Sequence, residues 1–318
     1  MKTVVVASGK GGTGKTTLSV LFAHLFATHH QLVVADCDVE ASNLPLALQV
    51  EVDGKREFLG TSKPVLDAEL CTSCAVCGES CRFGAISLSA GDTPIFDEWV
   101  CEGCGVCVSD CPMGAIRLEP RIAGELMTGI SPTGPVVFAQ LRPGEDLSGR
   151  LVAEVRDQAR RLAADNGTDL VLVDGPPGVG CPTIASLSNA DALVAVAEPS
   201  VSGEHDLVRL TALARRLEVP TCVVLNKADL SARGAERLRA VCSDWDLDLI
   251  GEVPFDQALA SLQVTEERRE RWESSLDPES SPGIASAVAA WRSLREWLAA
   301  EDVWLATQEV SRSLASSR

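Results

Sequence analysis

Eight of the twelve cysteines fall in two runs, Cys71-x2-Cys74-x2-Cys77-x3-Cys81 and Cys101-x2-Cys104-x2-Cys107-x3-Cys111-Pro112. Three thiolates on one tight turn can cap three corners of an iron–sulfur cubane. The fourth, three residues on, points away and ligates a second cluster. By that crossing rule Cys71, Cys74, Cys77 and Cys111 hold one [4Fe–4S] cluster, and Cys101, Cys104, Cys107 and Cys81 hold the other. Structural zinc commonly uses paired C-x2-C knuckles rather than a three-plus-one run. A disulfide framework calls for an exported chain. Arg82 stands where the first run would more typically carry proline, a change that removes no ligand.

The runs are an internal repeat. CTSCAVCGESCRFGAI and CEGCGVCVSDCPMGAI, offset by 30 residues, match at eight of sixteen positions. Pro64 and Asp67 pair with Pro94 and Asp97, and Leu88 with Leu118. Each copy reads as a short strand, a cysteine turn, a short helix and a return strand, which suits an α+β, pseudo-two-fold ferredoxin module of the bacterial type.

The 318 residues allow one large or two modest domains. Met1 and Lys2 run straight into a strand, leaving no room for a signal peptide. No apolar stretch approaches the ~20 residues that span a bilayer. Many thiols without an export signal fit a reducing cytoplasm. A net charge of −17 argues against nucleic acid, whose binding depends on neutralising phosphates with Lys and Arg.

A second motif opens the chain. The strand ending at Ala7-Ser8 enters Gly9-Lys10-Gly11-Gly12-Thr13-Gly14-Lys15-Thr16-Thr17 and then a helical stretch, the strand–loop–helix context of a phosphate-binding loop. Its glycines let backbone N–H groups curl round phosphates, and the helix N-terminus adds positive potential. Lys15 is expected to reach the β- and γ-phosphates and Thr16 to ligate Mg²⁺. Leu170-Val171-Leu172-Val173-Asp174, an apolar strand ending in a carboxylate, reads as Walker B, with Asp174 supporting Mg²⁺. Its Gly175-Pro176-Pro177-Gly178 turn is placed to sense the γ-phosphate. The strand Gln31–Ala35 ends in Asp36-Cys37-Asp38, at a position where α/β sheets bind ligands. For Asp36 a plain turn carboxylate and a direct role are both open.

The extra lysine in Lys10-Gly11-Gly12-Thr13-Gly14-Lys15-Thr16-Thr17 resembles the deviant Walker A of the MinD/ParA/nitrogenase-iron-protein ATPases. Asp36-Cys37-Asp38-Val39-Glu40-Ala41-Ser42-Asn43 resembles their Walker A′ segment. With the cysteine repeat, the chain resembles the subgroup of MinD-superfamily P-loop ATPases that contain a ferredoxin domain, over most of residues 1–263. The resemblance implies that Lys10 crosses a homodimer interface to touch the partner protomer's nucleotide and that Asp38 orients the attacking water. It also implies that Asn226, at a strand end in Asn226-Lys227-Ala228-Asp229, reads the base. That tetrapeptide equally reads as the guanine motif of GTPases; the loop and Walker A′ favour adenine. Pro254-Phe255-Asp256 is expected to close the base pocket. Cys181 lies where the nitrogenase iron protein carries a cluster ligand, yet no second ligand is visible, and a buried structural cysteine is the competing reading.

Strands near 3–7, 31–35, 169–173, 191–197, 220–225 and 248–252 alternate with helices near 14–29, 147–164, 203–217, 231–242 and 255–263. This predicts a doubly wound, mostly parallel α/β sheet. The ATPase domain is expected over 1–60 and 121–300, with the ferredoxin module inserted at 61–120. Residues 121–146 read as a β-rich return turning at Pro132-Thr133-Gly134-Pro135, and 265–283 as a polar linker. Ile284, Val288, Trp291, Leu294 and Leu298 share one face of a terminal helix. The tail, 301–318, has apolar residues at helical spacing, but its charged face is not basic enough for membrane binding.

Together these features predict an ATPase, using Mg²⁺, that gates electron transfer through its two clusters to a redox partner protein. Two alternatives are an iron–sulfur cluster carrier and a positioning ATPase with structural clusters. The carrier reading lacks a C-terminal C-x2-C pair; the positioning reading lacks a basic DNA patch or membrane helix.

Overall fold

The computed structural model describes residues 1–88, 93–145, 147–261 and 281–300. The chain opens with β1 (Lys2–Ser8), α1 (Lys15–Ala27), β2 (Leu32–Asp36), α2 (Leu44–Ala47) and β3 (Glu51–Leu59). Through the cysteine runs follow β4 (Lys63–Leu66), α3 (Val76–Glu79), β5 (Ile86–Ser87), β6 (Ile95–Phe96), α4 (Val106–Ser109) and β7 (Ile116–Glu119). Next come β8 (Ile122–Ser131), β9 (Gly134–Leu141), α5 (Ser148–Asp165), β10 (Leu170–Pro177), α6 (Cys181–Leu187) and β11 (Ala192–Ala197). The rest is α7 (Val201–Arg216), β12 (Thr221–Asn226), α8 (Ala232–Asp244), β13 (Asp248–Val253), α9 (Gln257–Ser261) and α10 (Pro282–Ala300).

One nine-stranded sheet runs in the order β13-β12-β11-β1-β10-β2-β9-β8-β3. From β13 to β9 every neighbouring pair is parallel. Parallel strands bury both faces, which is why β1, β2, β10, β11 and β12 are nearly unbroken Val, Leu and Ala runs. β8 and β9 are joined by residues 132 and 133 alone, a connection short enough only for an antiparallel hairpin. Because β1, β2, β10, β11 and β12 point the same way, the segments leaving their carboxyl ends share one edge of the sheet. Ligands of open α/β sheets bind at that edge.

By contact density the chain divides into two compact units. One comprises residues 1–55, 126–140 and 148–318, the other 56–125 and 141–147. The smaller unit repeats itself as the sequence does. β4 pairs with β7 and β5 with β6, both antiparallel. The Asp67 amide donates to Ala115 O at 2.8 Å, and 30 residues on the Asp97 amide donates to Ala85 O at 2.8 Å.

Three local features depart from the expected elements. β10 continues past Asp174 to Pro177 instead of turning at once, because β1 slips register between Val6 and Ser8 and Ser8 then pairs with Pro177. At Gly175 a Cβ would lie 3.0 Å from Val6 O, so a side chain there would push against β1. β3 is mostly polar and exposed, which hid it from a search for alternating apolar residues. The short helix α6, opened by Cys181 and Pro182, likewise has too few turns to show a period.

α10 buries Ile284, Val288, Trp291, Leu294 and Leu298, the face expected of it. It begins at Pro282, where a missing amide hydrogen costs nothing. The linker reading over 265–280 and the whole tail reading lie outside the described residues.

Candidate functional site

The loop after β1 is shaped by glycine. Gly12 and Gly14 have φ of +80° and +87°, and at Gly14 a Cβ would fall 2.2 Å from Asn226 Nδ2. Asn226, at the end of β12, donates to Thr13 O at 2.7 Å, and Lys227 Nζ donates to Gly12 O at 2.6 Å. The loop backbone is therefore pinned from the neighbouring strand end. The Thr13 hydroxyl is buried without a hydrogen-bond partner. An unmet donor inside a glycine loop at a helix N-terminus fits a phosphate oxygen.

Lys15 and Asp174 are 6% and 1% exposed and pair at 2.9 Å. Thr16 Oγ1 donates to Asp174 Oδ2 at 2.8 Å and Ser19 Oγ to Asp174 Oδ1 at 2.7 Å. Burial pushes the Lys15 pKa down, but the carboxylates of Asp174 and Asp36 outweigh it and hold the ammonium charged. Thr16 and Asp174, adjacent and oxygen-bearing, are a suitable pair for Mg²⁺, which prefers hydroxyl, carboxylate and water oxygens.

Asp36 is fully buried and organises the segment after β2. Its Oδ1 accepts the Asp38 amide at 3.0 Å; its Oδ2 accepts Ser42 Oγ at 2.7 Å and the Leu44 amide at 3.3 Å. Burial, reinforced by Asp174, raises its pKa to about 7. The Asp38 pKa is raised as well, by burial first, against the pull of Lys15. Of the two readings open for Asp36, the turn carboxylate is the one these bonds describe: it fixes where Asp38 sits.

Lys10 lies against its own chain. Its Nζ meets Glu198 Oε1 at 2.5 Å, Ser200 Oγ at 2.9 Å and Ser202 Oγ at 3.0 Å. The other oxygen of Glu198 takes Lys227 at 3.1 Å. Burial raises the Glu198 pKa, but the bonds from Lys10 and Lys227 outweigh it, and the carboxylate titrates below its usual range. After β12, Asp229 Oδ1 accepts the Phe255 amide at 2.6 Å, tying the segment after Pro254 to the loop that follows Asn226.

Among the described residues of the smaller unit, two cavities are lined by cysteines. One is lined by Cys71, Cys74, Cys77 and Cys111. The other is lined by Cys101, Cys104, Cys107 and Cys81. The cysteines thus sort by the crossing rule rather than by run. Both turns need left-handed backbone at equivalent positions: Ser73 and Ala75 at φ +52° and +67°, Gly103 and Gly105 at +62° and +79°. Amides of Ser73, Gly103 and Ala115 donate to the sulfurs of Cys71, Cys101 and Cys111 at 3.3–3.5 Å. Among the described residues no three His, Cys, Asp or Glu side chains converge on a point that would suit one metal ion. Four thiols spread round each cavity, with N–H bonds to Cys71, Cys101 and Cys111, fit a polynuclear group.

A family model described as the CobQ/CobB/MinD/ParA nucleotide binding domain matches residues 4–268. The chain belongs to the CobQ/CobB/MinD/ParA family. An uncharacterised protein of Methanocaldococcus jannaschii is 32% identical over 253 residues, covering 80% of this chain and 84% of that one. The iron–sulfur cluster carrier protein of Rickettsia typhi is 20% identical over 263 residues, covering 82% of this chain and 63% of that one. The cell division ATPase MinD of Pyrococcus furiosus has the same fold, with a TM-score of 0.55 at 17% identity over 93% of this chain and 99% of that one.

Membership in the CobQ/CobB/MinD/ParA family gives the P-loop its setting; the structure adds residues that motif reading passed over. Ser19 stands one helical turn beyond Thr16, an i,i+3 neighbour that the helix register could have supplied. Glu198 follows β11 directly, a carboxylate at a strand's carboxyl end. Ser42 carried no signal of its own. Cys181 is exposed rather than buried, so the structural-core reading of that thiol does not hold; it sits at the first turn of α6. Among the described residues no helix is long and apolar enough to cross a membrane.

Proposed function

We propose that this family member is an ATPase in which nucleotide state gates one-electron transfer through two [4Fe–4S] clusters to a partner protein. Its ferredoxin module is taken as 61–120 and its ATPase domain as 1–60 and 121–300. The observation that carries the reading is that two cavities, each framed by the four cysteines of one crossed set, share a chain with the Lys15–Asp174–Thr16 site.

On the nucleotide side, Gly11 to Thr17 wrap the phosphates and Lys15 exchanges Asp174 for the β- and γ-phosphates. Thr16 and Asp174 hold Mg²⁺, and Asp38, fixed by Asp36, orients water for attack on the γ-phosphate. Asn226, Lys227 and Pro254 border the base. Lys10 leaves Glu198, Ser200 and Ser202 to reach across a homodimer to the partner protomer's nucleotide. A bound [4Fe–4S] cluster supplies one-electron oxidation and reduction; the cysteines hold it, and the amides of Ser73, Gly103 and Ala115 tune it through their bonds to sulfur.

The named function of the Rickettsia relative favours a second reading, delivery of a cluster to apo-proteins. Anaerobic purification separates the two. Iron and sulfide at about eight per chain, retained during repeated Mg–ATP turnover in the presence of a chelator, support gated transfer. Iron lost to the chelator in step with hydrolysis supports delivery. A protein that binds no iron overturns both.

A further inference from the structure

The duplicated unit is symmetric in backbone and not in surface, and the difference falls beside one set of cysteines. In each copy an aspartate closes the turn before the first cysteine. Asp67 Oδ1 accepts the Glu69 amide at 3.0 Å, and Asp97 Oδ1 accepts the Trp99 amide at 2.9 Å. The first copy thus places a glutamate where the second places a tryptophan.

Trp99 is 67% exposed yet held on two sides. The Arg121 guanidinium lies 5.3 Å from its ring centroid, and that arginine is itself fixed by Glu98 at 2.6 Å and Glu145 at 3.2 Å. Gly144, at φ +81°, comes so near that a Cβ there would lie 2.2 Å from the ring. A large aromatic held rigid while facing solvent has little rotamer entropy left to lose, which is the character of an interface anchor. Val100 beside it is 44% exposed, and Cys104, four residues on, is exposed as well. Along this segment Asp97, Glu98, Glu102 and Asp110 are exposed and outnumber the bases set against it, Arg121 over the ring and Lys63 on the Cys101 carbonyl.

We propose that the turn bearing Trp99 and Val100 is the docking point for a soluble redox protein whose contact face is apolar at its centre and ringed by lysine or arginine. This rests on the cluster reading above and adds to it which of the two cysteine sets faces the partner. A cluster held by Cys101, Cys104, Cys107 and Cys81 would give one electron to the partner's centre, the first being oxidised and the second reduced, with no bond or proton moving. Opposite charge speeds encounter and fixes orientation, while the buried aromatic supplies most of the affinity.

A lysine-ringed c-type cytochrome serves as the probe, with the anaerobically purified full chain. Binding is measured by sedimentation at low and moderate salt, and electron delivery by stopped flow after dithionite reduction. Trp99→Ala is expected to weaken binding and slow delivery about tenfold or more, while delivery to a small viologen stays as in the wild type. Glu69→Ala, at the mirror turn, is expected to change either by less than about threefold. Equal binding and delivery by Trp99→Ala and wild type would overturn the proposal, as would a wild type that reduces an acidic flavodoxin as fast as the cytochrome. Iron content and visible absorbance of the same samples report separately on the cluster reading, so a chain without iron fails that reading rather than the docking surface.

Discussion

Lys15 is buried with one close counter-ion, and this sets what its loss does. Removing the ammonium leaves Asp174 uncompensated beside the buried Asp36, and an unpaired buried charge costs about 3–5 kcal/mol. Lys15→Ala is therefore expected to abolish ATP binding and to lower stability as well. Asp38→Ala removes a group that this account places on the attacking water, not on the phosphates. It is expected to keep ATP affinity within about threefold while hydrolysis falls about 100-fold or more. Equilibrium binding beside single-turnover hydrolysis checks both; an Asp38→Ala protein that hydrolyses normally removes Asp38 from the mechanism.

Asp36 makes a second prediction at this scale. Its carboxyl titrates near 7 in the folded chain, pushed up by burial and Asp174, against the ordinary value of 3.8 when unfolded. The folded state thus holds a proton that the unfolded state releases. The stabilisation is full below the unfolded value and is lost as pH rises through about 7. Nucleotide-free protein is expected to melt at a lower temperature at pH 7.5 than at pH 5.5, by on the order of a few kcal/mol in stability. Asp36→Asn, which cannot ionise, should flatten that dependence. An unchanged slope in the variant would assign the effect to another group.

Among the elements, the cysteine turns test connectivity. Cys111 follows α4, in the second run, yet lines the cavity of the first. Cys111→Ser is expected to damage the cluster held with Cys71, Cys74 and Cys77 and to spare the other, read by electron paramagnetic resonance of the reduced protein. Loss confined to the second-run cluster contradicts the crossing. The grouping of the cysteines round two cavities was legible in the sequence because the spacing within each run repeats and the fourth cysteine of each lies beyond the turn of the first three. The strands of the sheet were legible for a like reason, since parallel strands buried on both faces must be apolar throughout. β3 and α6 were not, one being polar at a sheet edge and the other too short for a period. Nor could spacing show that Lys10 rests on Glu198, 188 residues away in the chain, or that Asn226 donates to Thr13 O. Those pairings depend on which strands the sheet sets side by side.

For the whole molecule the question is whether the two units act on one another. The chain offers continuous routes: β3 and β8 each run from one unit into the other, and β3 follows the segment that Asp36 organises by only α2 and a short link. A phosphate that draws on Asp38 or on Lys15 pulls on the start of that route. In the proposed homodimer Lys10 would leave Glu198 for the partner protomer's nucleotide, a step that would depend on dimer closure. If nucleotide and redox state are linked, the linkage is reciprocal: a shift in reduction potential on binding ATP is set by the logarithm of the ratio of ATP affinities in the two redox states. Redox titration of the anaerobic protein with and without Mg–ATP measures this most directly. The account predicts a shift of at least one cluster potential by about 40 mV or more, the equivalent of a fivefold change in affinity for a one-electron couple. Identical titration curves, with ATP shown to be bound, would contradict it and leave the clusters a structural part.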